Sequence, residues 1–152
     1  MERYIVEMEH INKSFPGVKA LDDVSFCLRA GEVMALLGEN GAGKSTLMKI
    51  LSGVYQKDSG TIHIFGKEVQ DLNPKKAQEL GVAIIHQELN LCGHLTVAEN
   101  IFLGHETMKK GLLSDKEMRL KAKKVLDELN MDISADAVVG DLAVSKQQMI
   151  EI

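Results

Sequence analysis

The sequence predicts an α/β fold built around a phosphate-binding loop, and three observations carry that expectation. Glu32-Val33-Met34-Ala35-Leu36-Leu37 is a short apolar run that reads as a buried strand. Next comes Gly38-Glu39-Asn40-Gly41-Ala42-Gly43-Lys44-Ser45-Thr46, which fits the spacing of Gly, four free positions, then Gly-Lys-Ser/Thr. Thr46-Leu47-Met48-Lys49-Ile50-Leu51 then reads as the first turns of a helix. Strand, glycine-rich turn and helix form the context that such a loop needs. A plain glycine-rich turn with a surface lysine would not require it.

The chemistry follows from the residue types. Glycines let successive backbone N–H groups converge on a triphosphate with no Cβ in the way. The helix start adds unpaired N–H groups and the positive end of its dipole. On this reading Lys44 reaches the β- and γ-phosphates, and the Ser45 hydroxyl ligates Mg²⁺. The expected ATP cradle comprises Gly38, Asn40, Gly41, Ala42, Gly43, Lys44, Ser45 and Thr46.

The remaining elements follow in order. Tyr4 to Ile11 and Val24 to Leu28 alternate apolar and polar residues and read as strands, an antiparallel flank on the main sheet. Asn12 to Gly17 between them is a turn by its residues. The first helix should stop at Ser52-Gly53, with Gly53 as its C-terminal cap. Thr61 to Phe65 is a further strand, ending at Gly66. Asn73-Pro74 opens a short helix, with Asn as cap and Pro at the first position, and Gly81 ends it. Val82-Ala83-Ile84-Ile85-His86 is the best candidate for a second central strand, with Gln87 at its C-terminal end, where ligands bind in open α/β sheets. Thr96 and Glu99 form a capping box for a helix from Val97 to Leu103. Ser114 and Glu117 form a second one, for a charged helix to about Asn130 whose inner side is Leu120, Val125, Leu126 and Leu129.

Composition sets limits. The 152 residues suffice for a real core, and 45% of them are hydrophobic. Trp is absent, so the core should be aliphatic, with the eight Met residues as packing. A formal net charge of −4 gives no reason to expect a nucleic-acid partner. No apolar run reaches the length of a spanning helix and the first residues lack a signal-peptide core, which reads as a cytoplasmic chain. Cys27 and Cys92 form no pair motif, and His86, Cys92 and His94 match no standard zinc spacing.

Several stretches together carry a resemblance. Gly38 through Gly53, Ile84-Ile85-His86-Gln87-Glu88-Leu89-Asn90-Leu91 and Thr96-Val97-Ala98-Glu99-Asn100-Ile101-Phe102-Leu103-Gly104 closely resemble the nucleotide-binding subunits of ABC transporters. More narrowly, the chain is similar to the first half of the tandem ATPases that power monosaccharide import. The resemblance implies an ABC-type P-loop NTPase core over residues 1–88 and a helical subdomain over 89–152. It implies that Phe15 stacks on adenine with Val18 lining the same face. It implies that Gln87 approaches Mg²⁺ and the γ-phosphate. The segment from Glu88 to about Thr96 would face a membrane partner.

The signature of this family falls at Asp141-Leu142-Ala143-Val144-Ser145-Lys146-Gln147-Gln148, and this copy departs from it. Ala143 stands for the usual Ser, Ser145 for a Gly and Lys146 for a Gln; Lys146 could supply charge in their place. In the family, a strand with the Mg²⁺-binding Asp and the catalytic Glu comes next. The chain ends at Ile152, so the expectation is a fragment truncated before that strand, binding ATP but not hydrolysing it efficiently alone. The implied partners are a second nucleotide-binding domain, membrane-spanning permease subunits and, indirectly, a sugar-binding protein, with no nucleic acid. The implied location is peripheral, on the cytoplasmic face of the membrane. Two other readings share the core motifs: a soluble ABC-type ATPase acting on ribosomes or DNA, and a small-molecule kinase with only the phosphate loop in common.

Overall fold

The structure, a computed structural model, describes residues 4–106, 108–109 and 112–152. It divides into two compact units, Met1–Ile84 and Ile85–Ile152.

The first unit is a four-stranded antiparallel sheet carrying two helices. Its strands are β1 (Tyr4–Phe15), β2 (Val18–Arg29), β3 (Ser59–Ile64) and β4 (Lys67–Glu68), in the order β2-β1-β3-β4. β1 is central: Met8 pairs with Phe26 of β2 on one side and Ile62 of β3 on the other. β1 and β2 both run longer than the alternation of residues predicts. The expected turn at Asn12–Phe15 is strand instead, and the chain reverses only at Pro16-Gly17. Gly17 takes φ 80° there, and Pro followed by such a Gly is what a tight type II turn favours.

The alternation in β1 slips because the strand is bulged. Val6 and Met8 are buried with period two, but the next buried residue is Ile11. The register shifts between them, and His10 sits at φ 54°, in the left-handed region. Asp23 on β2 has the same φ, and its carboxylate lies 2.7 Å from His10 Nδ1. One extra residue thereby returns Ile11 to the core face.

Helix α1 (Lys44–Leu51) lays Leu47 and Ile50 into a cluster with Val6, Met8, Ile11, Leu21, Ile62 and Ile64. It stops where Gly53 takes φ 76° and donates to Ile50 O. Helix α2 (Pro74–Glu79) is capped by Asn73, whose side chain accepts from the Lys76 N–H.

Two expected strands do not form. Residues 33–39 and 82–86 are in neither helix nor strand. Val33 and Leu37 are 99% and 90% exposed, and Ile85 is 60% exposed. A strand exists only through ladder hydrogen bonds to a neighbour, and no described strand pairs with either run. Apolar composition alone cannot supply that partner.

The second unit holds α3 (Val97–Ile101), α4 (Asp115–Glu128), α5 (Val144–Glu151) and a 3₁₀ turn at Val139–Asp141, plus a small ribbon of β5 (Met108–Lys109) and β6 (Leu112–Leu113). Val97, Leu126, Val139 and Ile150 form its core. The capping box at Thr96 and Glu99 is present in both directions, and the helix it starts ends at Ile101, two residues earlier than expected. The one expected at Ser114 is not made. Ser114 has ψ 79°, against 166° at Thr96, and makes no side-chain capping bond. The buried face of α4 is Met118, Ala122 and Leu126, each four residues apart. Of the four residues expected there only Leu126 is buried; Leu120, Val125 and Leu129 are exposed. Among the described residues no helix is long and apolar enough to cross a membrane.

Candidate functional site

The phosphate-loop residues lie in the first unit, between residue 37 and the start of α1. Lys44 is the first residue of that helix, and Gly43 is its N-cap with φ 83° and ψ −1°. Gly43 could be nothing else. Besides that left-handed φ, a Cβ here would stand 2.5 Å from Ala20 O and 2.7 Å from a Leu21 methyl. The helix start is therefore pressed directly onto β2. Leu47 N–H donates to Gly43 O at 2.9 Å, which closes the first helical turn.

The loop folds back over itself. Ala42 N–H donates to Glu39 O at 3.2 Å. The Lys44 ammonium donates to Gly38 O and Glu39 O, both at 2.7 Å. Its charge is thus held across the loop by two carbonyls that carry only partial charge. Phosphate oxygens, with full charge, are stronger acceptors for the same donors. Gly38, Asn40, Gly41, Ala42 and Ser45 are exposed, and Gly43, Lys44 and Thr46 are half-buried. No side chain caps the helix, so its leading N–H groups are left for a ligand or water.

Phe15 and Val18 face each other as a cross-strand pair at the tip of the β1–β2 hairpin. Phe15 is half-buried and Val18 is 62% exposed. β2 links this tip to the loop, since Ala20 lies two residues past Val18, roughly 7 Å along a strand, and touches Gly43. The structure therefore brings Phe15, Val18 and the phosphate loop to one end of the first unit.

Gln87 belongs to the second unit, where it is exposed at a bend. The signature-like segment forms the start of α5, with Ala143 as N-cap. Gln147 Nε2 donates to Val139 O and Leu142 O, which fixes the turn before the helix. The Lys146 ammonium donates to Asp132 O at 3.0 Å. Its charge is thus already engaged by a backbone carbonyl.

Two residues near the site were not foreseen. Tyr55 packs edge-on against Phe15, with ring centroids 5.3 Å apart. Asp58 accepts from Lys13 Nζ at 2.7 Å and from Ser14 N–H at 2.6 Å. These bonds hold its carboxyl below the usual carboxylate range, the Lys13 hydrogen bond contributing most. In the sequence, Lys57-Asp58-Ser59-Gly60 reads only as a turn. The available signal was a carboxylate at a turn and an aromatic two residues after the helix cap. A cleft of about 340 Å³, lined in part by Ile50, Tyr55, Lys57 and Glu68, opens beside this loop and includes none of the phosphate-loop residues.

A magnesium ion fits the donor chemistry of the loop. Ser45 offers a hydroxyl at the second helical position, and Mg²⁺ takes oxygen ligands, keeping several waters beside one or two protein groups. Among the described residues no group of three or more His, Cys, Asp or Glu is placed to hold a metal.

A model of the ABC transporter family matches residues 21–152. The chain belongs to the ABC transporter family. It is 54% identical over 150 residues to a ribose import ATP-binding protein of Halalkalibacterium halodurans, covering 97% of this chain and 30% of that protein. It is 53% identical to a xylose import ATP-binding protein of Geobacillus kaustophilus, covering 100% of this chain and 31% of that one. Among solved structures, a nucleotide-free ATP-binding cassette from an ABC transporter superposes with a TM-score of 0.82 at 28% identity, covering 97% of this chain and 62% of that one. A cassette in its ADP conformation gives 0.81 at 30% identity, with the same coverage. The chain thus spans under a third of the length of these curated relatives, and its fold is that of an ABC ATPase cassette.

Proposed function

We propose that this chain supplies the ATP-binding part of an ATPase that drives monosaccharide import. The observation that carries the ATP-binding part of the proposal is the helix start at Gly43–Lys44. An uncapped N-terminus, a left-handed Gly pressed against β2 and an ammonium held by two weak acceptors converge on one place. Backbone N–H groups of Gly41 to Thr46 bind the phosphate oxygens, the Ala42 N–H leaving Glu39 O to do so. Lys44 leaves Gly38 O and Glu39 O for the β- and γ-phosphates and neutralises charge there. Ser45 would hold Mg²⁺, which would supply further charge neutralisation between those phosphates. Phe15 stacks on the adenine, with Val18 beside it. Each residue in this set binds, orients or neutralises; none acts as a nucleophile.

The sugar-import reading rests on identity to the ribose and xylose import proteins rather than on the site. It implies permease subunits spanning the membrane, a second nucleotide-binding domain, a sugar-binding protein acting through the permease, and a peripheral position on the cytoplasmic face. The test is sugar uptake by vesicles containing the natural polypeptide and its permease, using ribose, xylose and galactose with ATP inside. ATP-dependent uptake of at least one sugar, abolished by Lys44→Ala, is the expected result. ATP turnover that moves none of them would overturn the import reading. Phosphoryl transfer to the sugar itself would point to a kinase instead.

A further inference from the structure

The loop that leaves α1 is fastened at two places. At the helix end, Tyr55 N–H donates to Lys49 O at 3.0 Å, and the Lys49 ammonium lies 5.3 Å from the Tyr55 ring centroid. At the hairpin, the Tyr55 and Phe15 rings meet edge-on, 5.3 Å apart with their planes at 69°. Three residues later Asp58 binds Lys13 Nζ and Ser14 N–H, and its own N–H donates to Asn12 O at 2.9 Å. The Lys13 ammonium, held by Asp58, lies 5.5 Å from the Phe15 centroid. The helix that begins at the phosphate loop and the ring at the hairpin tip are therefore joined through residues 55–58.

We propose that Tyr55 is the positioning residue for base stacking: it fixes the plane of the Phe15 ring and ties it to the phosphate-loop helix. This rests on the reading of Phe15 as the adenine platform. A platform at a hairpin tip needs something to hold its rotamer. Its cross-strand neighbour, Val18, is mostly exposed and gives it little lateral support. Tyr55 supplies that support, and a ring already held in place stacks without a further ordering cost. Edge-to-face aromatic pairs typically contribute a factor of about 2 to 10 in an equilibrium constant. Because Tyr55 hangs from the end of α1, base and triphosphate are also held at one separation. Tyr55 touches neither directly, so its loss weakens only ligands that carry the base.

The experiment is titration calorimetry on the natural polypeptide that carries these residues, with Mg²⁺ present. The ligands are ATP and inorganic tripolyphosphate; the variants are Tyr55→Leu, Tyr55→Phe and Phe15→Leu. The expected result is ATP binding about 2- to 10-fold weaker in Tyr55→Leu, unchanged tripolyphosphate binding, and recovery in Tyr55→Phe. If Phe15→Leu weakens ATP but Tyr55→Leu does not, the proposal fails while the adenine platform stands. If Phe15→Leu leaves the ratio of ATP to tripolyphosphate affinity unchanged, the platform fails and the proposal falls with it. Equal weakening of both ligands in Tyr55→Leu would reduce Tyr55 to a structural role and overturn the proposal.

Discussion

Gly43 shows how tightly single residues determine this site. It needs a left-handed backbone and has a carbonyl where a Cβ would go. Gly43→Ala should destabilise the first unit by roughly 1–3 kcal/mol, read as a lower denaturant midpoint, because both strain and displacement of β2 act together. Asp58 gives a pH signature. Its carboxyl is held below its ordinary value of 3.8 by Lys13 and the Ser14 N–H. A depressed carboxylate contributes stability that is fully present above the unfolded value and is lost as pH falls through the folded one. Glu99 behaves alike, because the Thr96 N–H and hydroxyl both donate to it. Unfolding followed by circular dichroism should therefore show stability from these groups falling below about pH 5. Asp58→Asn should flatten part of that acid limb; an unchanged limb would mean that the Lys13–Asp58 bond contributes nothing in solution.

At the level of elements, caps were legible and unpaired strands were not. Asn73-Pro74 and Thr96 with Glu99 carry their chemistry within four residues, so sequence alone places those helix starts. Thr96→Ala should cost about 1 kcal/mol in the second unit, measurable by thermal unfolding. Ser114 has the same residue pattern, but its ψ of 79° differs from the 166° at Thr96 and no side-chain capping bond forms. The buried face of α4 differs from the expected one because spacing, not residue size, decides it. Leu120 is two residues from Met118, about 200° around the helix, whereas Ala122 and Leu126 line up with it. The bulge at His10 was invisible for a similar reason, since its cause lies on the neighbouring strand at Asp23 and Ser25. The helix start directly after Gly43 was legible because the glycine-rich motif specifies backbone conformation directly. Tyr55 was not, because its partner Phe15 lies forty residues earlier and belongs to another element.

For the molecule as a whole, two apolar runs lack the partners that their composition suits. Val33 and Leu37 in the first unit and Ile85 in the second are exposed outside any helix or strand. Unpaired apolar backbone of this kind promotes association between chains. Val33→Asp should lower concentration-dependent light scattering of this chain and shift its stability by no more than about 0.5 kcal/mol, as expected for a surface position. Scattering that does not change would locate the association elsewhere. The sheet core is a separate matter. Met8 and Ile62 are fully buried partners in one cluster, and Met8→Ala should cost about 2–5 kcal/mol.

On the proposed reading, the first unit by itself forms a triphosphate site at the start of α1. Thermal unfolding of this chain with and without Mg²⁺-ATP, beside Lys44→Ala, tests it most directly. At 100 times the dissociation constant, ATP should add about 2.7 kcal/mol to the wild-type stability and nothing comparable to the variant. A midpoint that ATP leaves unchanged, or raises equally in Lys44→Ala, would contradict the claim.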